Sequence, residues 1–261
     1  MRKRLWTILL TVFVFLSGTA LGLSTVYRVD TVTVNVNYVT EVAKEEGAGL
    51  QSCLEEAYQG VSTLFVKQET ADEILKEYPY FRITGFKKSY PKRLVIEVTE
   101  NAEVYAIEKT AGEEYYILSA DGVVLDIRDT HINRLNGEEN VILKGLDITA
   151  EKGEKPLGDA CFAAILSLGQ EFSTKLNGIR CNVVSIQLIR RSPEVVVSVT
   201  MREGVKVYIS NPEQLTKEKT EEALTKYLAL SDMEKTCGRI LLFENAGQIY
   251  SDYSSIDEFE Q

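Results

Sequence analysis

One histidine, four cysteines and a scatter of adjacent glutamates are all that this 261-residue chain offers for an active or metal site. His131 lies in a polar stretch with nothing nearby to orient an imidazole for Ser-His-Asp or Cys-His chemistry, and is expected to be an exposed loop residue. Cys53, Cys161, Cys181 and Cys237 form no Cys-x-x-Cys pair and match no zinc spacing. If a disulfide forms, Cys161–Cys181 is the expected pair. Cys53 and Cys161 otherwise suit buried thiols on apolar helical faces. Two carboxylates are what glycoside hydrolysis needs. Glu45-Glu46, Glu55-Glu56, Glu113-Glu114 and Glu138-Glu139, however, read as solvated pairs in an acidic chain. There is no Gly-x-Ser-x-Gly elbow, phosphate-binding loop or His-Glu-x-x-His pair. No catalytic, cofactor-binding or metal residues are expected. A net charge of −10 also argues against nucleic acid as a partner.

The elements that would position any site begin with an apolar run. Arg2, Lys3 and Arg4 precede an uncharged stretch over 5–27. At ~1.5 Å rise per residue this length crosses the roughly 30 Å hydrocarbon core as one helix. The basic cluster predicts a cytoplasmic N-terminus, so a single-pass type II protein with an extracytoplasmic body is expected. The competing reading is a cleaved signal, with Gly18, Ala20 and Gly22 as small residues near a cleavage site. The run is longer than such signals usually are, which favours the uncleaved anchor.

Beyond Arg28 the periodicity changes twice. Val32, Val34 and Val36 alternate with Thr and Asn, the signature of a half-buried strand. Leu50, Cys53, Leu54, Ala57 and Tyr58 recur at helical spacing after Gly47 and Gly49. Thr70 and Glu73 have capping-box spacing before a second helix that Pro79 ends. Strands over 81–89 and 93–99 meet at Tyr90-Pro91. The order is β-α-α-β-β.

After Glu100 short strands dominate: 104–108, 115–118 and 123–127, with Asp121-Gly122 in a hairpin turn. The segment 130–140 reads as a polar loop, and 156–172 as a helix with Phe162, Ile165, Leu166 and Leu168 on its apolar stripe. Strands over 183–189, 195–199 and 205–209 follow. Asn211-Pro212 is expected to cap a helix presenting Leu224, Tyr227 and Leu228. Strands over 240–243 and 248–253 finish the domain around Asn245-Ala246-Gly247.

The run Tyr90-Pro91-Lys92-Arg93-Leu94-Val95-Ile96-Glu97-Val98-Thr99-Glu100 resembles the end of a POTRA domain. Its continuation to Ala106, with Tyr115-Tyr116-Ile117-Leu118 and Asp121-Gly122-Val123, resembles the FtsQ/DivIB family of bacterial cell-division proteins. The chain departs from that family's pattern at Asn101, Glu103 and Ser119. The resemblance implies an α+β chain with a single N-terminal transmembrane helix, a βααββ POTRA domain and a mostly antiparallel β domain with two packed helices. Its implied parts are a cytoplasmic tail (1–4), transmembrane helix (5–27), POTRA domain (28–100), β domain (101–253) and flexible tail (254–261). The implied role is a non-enzymatic divisome scaffold at the septum that coordinates peptidoglycan synthesis. Implied partners are FtsB/DivIC-like and FtsL-like single-pass division proteins, with the cytoplasmic membrane engaged through 5–27.

In that family the partner adds a strand near the C-terminus. The matching positions are Gln248, Ile249, Tyr250, Ser251, Asp252 and Tyr253, with Tyr250 and Tyr253 as contact anchors. An ordinary edge strand paired only within its own domain remains the alternative for this segment. A wall-active enzyme that borrows a POTRA-like domain is the alternative for the whole chain.

Overall fold

The structure, a computed structural model, describes residues 6, 11–13, 26–110, 114–134, 137–156, 160–191 and 194–255. The chain is α+β with strands predominating, and it divides into two compact units, 1–100 and 101–261. One part of the expected fold is corrected. No helix among the described residues is long and apolar enough to cross a membrane. Most of the apolar run over 5–27 lies outside the described residues.

The first unit has a three-stranded sheet in the order β1-β3-β2. β1 (Thr31–Asn37) runs parallel to β3 (Arg93–Glu100), and β2 (Phe81–Ser89) runs antiparallel to it. Helices α1 (Glu41–Tyr58) and α2 (Gln68–Leu75) supply Leu50, Leu54, Ala71 and Leu75 to a core that also holds Val34, Leu94, Ile96 and Val98. α1 starts well before the expected apolar stripe, with Gly47 and Gly49 inside it. Gly47 is there for space: a Cβ would stand 3.2 Å from Val36 Cγ1 and 3.5 Å from Phe81. Cys53 is exposed, contrary to expectation.

Thr40 caps α1 by accepting the Ala43 N–H at 3.0 Å. Glu100, at the end of β3, accepts the N–H groups of Val39 and Thr40 and the Thr40 hydroxyl. A carboxylate there also complements the positive end of the helix. The expected capping box at Thr70 does not form, because α2 begins earlier, behind Lys67, without a side-chain cap.

The second unit is one nine-stranded sheet in the order β12-β11-β10-β9-β8-β7-β4-β5-β6. Its strands are β4 (Glu103–Thr110), β5 (Glu114–Ser119), β6 (Val124–Arg128), β7 (Val141–Lys144), β8 (Val183–Arg191), β9 (Glu194–Met201), β10 (Lys206–Ser210), β11 (Arg239–Asn245) and β12 (Gln248–Ser254). Pairing is mostly antiparallel, but β4·β7, β7·β8 and β10·β11 are parallel. Helices α3 (Ala160–Lys175) and α4 (Thr216–Ala229) pack on one face through Phe162, Ile165, Leu168, Phe172, Ala223, Leu224 and Tyr227. A short α5 (Asp232–Lys235) follows.

Several details differ from the sequence reading. α4 opens at Thr216, several residues beyond Asn211-Pro212, and Leu228 is exposed while Lys219 is fully buried. All four cysteines are free, so no Cys161–Cys181 bridge forms; Cys161 is buried and Cys181 exposed. The polar stretch 130–140 wraps a buried carboxylate. Arg128 grips Glu103 through both terminal nitrogens at 3.0 and 2.7 Å, and Asn140 and the Arg134 N–H add to it. His131 is only partly exposed, with its ring centroid 5.3 Å from that of Tyr115 and Nε2 3.6 Å from Glu139.

Candidate functional site

The site indicated by the sequence, Gln248, Ile249, Tyr250, Ser251, Asp252 and Tyr253, forms most of β12. β12 is the end strand of the sheet, with β11 its single strand partner among the described residues. The hairpin is built locally. Ala246 and Gly247 carry φ angles of 53° and 77° between the paired residues Asn245 and Gln248. Two successive positive φ angles define the turn whose twist matches antiparallel strands.

That turn fixes the hydrogen-bond phase. Flanking residues of a two-residue loop exchange both main-chain bonds, and bonded pairs then alternate along the ladder. Phe243–Tyr250 and Leu241–Asp252 are therefore bonded pairs, whereas Ile249, Ser251 and Tyr253 aim their N–H and C=O groups away from β11. The Tyr253 N–H agrees with this phase, because it donates sideways to Asp252 Oδ1 at 2.8 Å. The remaining outward donors are Ile249 and Ser251.

The opposite edge of the sheet, β6, is managed differently. The loop at 153–154 bonds Val124 in both directions, and Asp126 Oδ1 accepts the Ile127 N–H. Asp126 also pairs with Lys152 and Arg128. Covering loops and charges are how soluble sheets blunt an edge. Among the described residues, β12 shows the Asp252 device alone.

Side chains hold β12 firmly from the helix side. Ser251 donates to Glu222 of α4 at 2.6 Å, while Ile249 and Tyr253 pack against the core. The Tyr253 hydroxyl lies 3.3 Å from the carbonyls of Glu234 and Cys237. Lys219 of α4 donates to the carbonyls of Ser210 and Asn211 at 2.8 and 3.0 Å and stands 3.5 Å from Glu244 of β11. Burial lowers its pKa, and the Glu244 carboxylate opposes that shift. Two carbonyl hydrogen bonds and the ion pair with Glu244 make this a structural tether rather than a reactive amine.

The other face of the hairpin is open and carries an exposed aromatic pair. Phe243 and Tyr250 stack across the strands at 5.4 Å and 12°, and each is a little under half exposed. Beside them, Val196, Tyr208, Leu241 and Phe243, together with polar Glu194 and Asn211, line a groove of about 450 Å³. The edge thus combines two outward main-chain donors, a rigid backing and an adjoining aromatic pair.

Tyr250 and Tyr253 have different surroundings. Tyr250 faces the open side, while Tyr253 points to α5 and is only half-buried. Phe243 and Leu241 were not singled out in the sequence, because a neighbouring strand's apolar residues read as core. Their one legible signal was their pairing across Asn245-Ala246-Gly247. Among the described residues, no group of three or more His, Cys, Asp or Glu side chains could hold a metal ion. No protein-family model matches the chain, and no curated protein is close enough to it to count as a relative.

Proposed function

We propose that this chain is a non-enzymatic scaffold of bacterial cell division, of the FtsQ/DivIB type. Its body acts on the outer side of the cytoplasmic membrane at the septum. It binds FtsB/DivIC-like and FtsL-like division proteins there, which coordinates septal peptidoglycan synthesis. The observation that carries the reading is the edge of β12, which no other strand pairs among the described residues, with Ile249 and Ser251 directing main-chain groups outward. The β-α-α-β-β order of the first unit and the motif over Tyr90–Glu100 support it further. Strand addition draws affinity from main-chain bonds and selectivity from alternate side chains. Here those alternate side chains include Tyr250, with Phe243 beside it.

The test is binding of the full chain to a DivIC-like partner. A Ser251→Pro substitution deletes an outward N–H without touching the β11 ladder, a position where edge strands tolerate proline. Ser251→Ala removes only the Glu222 bond. The proposal expects the proline variant to lose about tenfold or more in affinity, roughly 1.4 kcal/mol, and the alanine variant to bind nearly as the parent does. Equal binding by both folded variants, or by a chain ending after Gly247, would refute it.

A further inference from the structure

We infer that the tip of the first unit is a lipid-bilayer docking surface. Three segments meet there. Thr63 ties them together: its N–H donates to Tyr27 O at 2.6 Å, and its hydroxyl serves the carbonyls of Tyr27 and Pro91 at 3.0 and 2.8 Å. Val29 N–H bonds Val61 O, Gly60 N–H bonds Val29 O, and Arg28 Nε donates to Gly60 O. Tyr27 and Tyr90 meet edge to face at 6.2 Å.

This bonded frame pushes apolar side chains into solvent. Phe65 is 76% exposed, Tyr90 59%, Val26 49%, Leu64 48% and Val61 37%. Thr63, at the centre of the frame, is 1% exposed. A fixed backbone with outward apolar side chains is a built surface, unlike scattered single exposures.

The occupant follows from what the tip joins. The uncharged run over 5–27 ends at Val26 and Tyr27, so the chain delivers its most apolar sequence to this spot. Tyrosine and phenylalanine beside Arg28 suit the boundary between headgroups and acyl chains, where aromatic rings and cations concentrate. An acidic protein face would match Arg28 but would leave Phe65, Leu64 and Val61 in water. The expected insertion depth is that of an interfacial element, about 5–10 Å below the headgroups.

The full chain carries a single tryptophan, Trp6, so a Trp6→Phe, Phe65→Trp variant reports from the tip alone. It is mixed with vesicles of phosphatidylcholine and phosphatidylglycerol containing lipids brominated near the top of the acyl chain. A Trp6→Phe, Val39→Trp variant is the control: Val39 is 75% exposed yet lies past the far end of β1, roughly 20 Å from the tip by strand rise. Emission from position 65 should be quenched about twofold at interfacial depth while position 39 stays unquenched. No quenching at 65 in vesicle-bound chain overturns the inference, as does equal quenching at both positions or failure to bind vesicles. A blue shift at 65 that grows with protein concentration but ignores brominated lipid also overturns it, since a second copy then covers the tip.

Discussion

At the scale of single residues, buried polar groups dominate the expected behaviour. Glu103 stands where the resembled family carries a different residue, and it is 3% exposed with Arg128 bidentate on its carboxylate. Glu103→Ala removes the carboxylate that Arg128, Asn140 and the Arg134 N–H share, so urea denaturation should show a loss of about 3–5 kcal/mol. Glu103→Ala with Arg128→Met should recover part of that loss, since the Arg128 guanidinium is then no longer buried without its carboxylate. The buried phenols set an alkaline limit. Burial pushes the Tyr58 hydroxyl up to about 12, and it raises Tyr227, whose hydroxyl also donates to Glu203. In the unfolded chain each phenol ionises near 10. Above that pH the unfolded state holds fewer protons than the native one, so stability falls as pH rises from about 10 towards 12. Lys219 acts oppositely: its lowered pKa makes stability rise with pH below its ordinary value of 10.5. The urea midpoint should therefore hold or rise slightly to about pH 10 and then drop. Tyr227→Phe should flatten the drop.

At the scale of elements, caps and turns decide what forms. Glu100→Ala removes three bonds from the start of α1, and should cost about 1–2 kcal/mol by thermal or urea unfolding. Gly247, at φ 77°, accepts a side chain only under strain despite open space around it. Gly247→Val should destabilise the β11–β12 hairpin by about 1–2 kcal/mol and weaken partner binding with it. Elements whose periodicity is local were legible. The valines of β1, the run 93–99 in β3 and Asp121-Gly122 announce themselves by alternation and turn chemistry. Features that depend on distant partners were hidden. Gly47 reads as a helix breaker until Val36 and Phe81 are seen against it. The four residues of β7 are too few to show a period, and parallel partners on both sides complete them. Lys219 sits in a charged stretch and reads as solvated, yet its tether reaches the end of β10. The edge of β12 was legible as a strand, but its outward donors required the φ angles of Ala246 and Gly247. That phase makes Ser251 the informative position for a proline, since the Tyr250 N–H serves the ladder.

At the scale of the whole molecule, two compact units divide the work in the proposed account. The first unit offers an apolar tip to lipid, and the second offers a sheet edge to partner chains. A fluorescent fusion of the full chain should mark the division site as a band, and the Ser251→Pro variant should still reach the membrane but recruit less of a DivIC-like partner. The most direct measurement is amide hydrogen exchange along β12 in the full chain, with and without that partner. Ile249 and Ser251 should exchange quickly alone and be slowed at least about tenfold in the complex, while Tyr250, already bonded to Phe243, changes far less. Unaltered exchange at Ile249 and Ser251 in a chain demonstrably holding its partner would contradict the account.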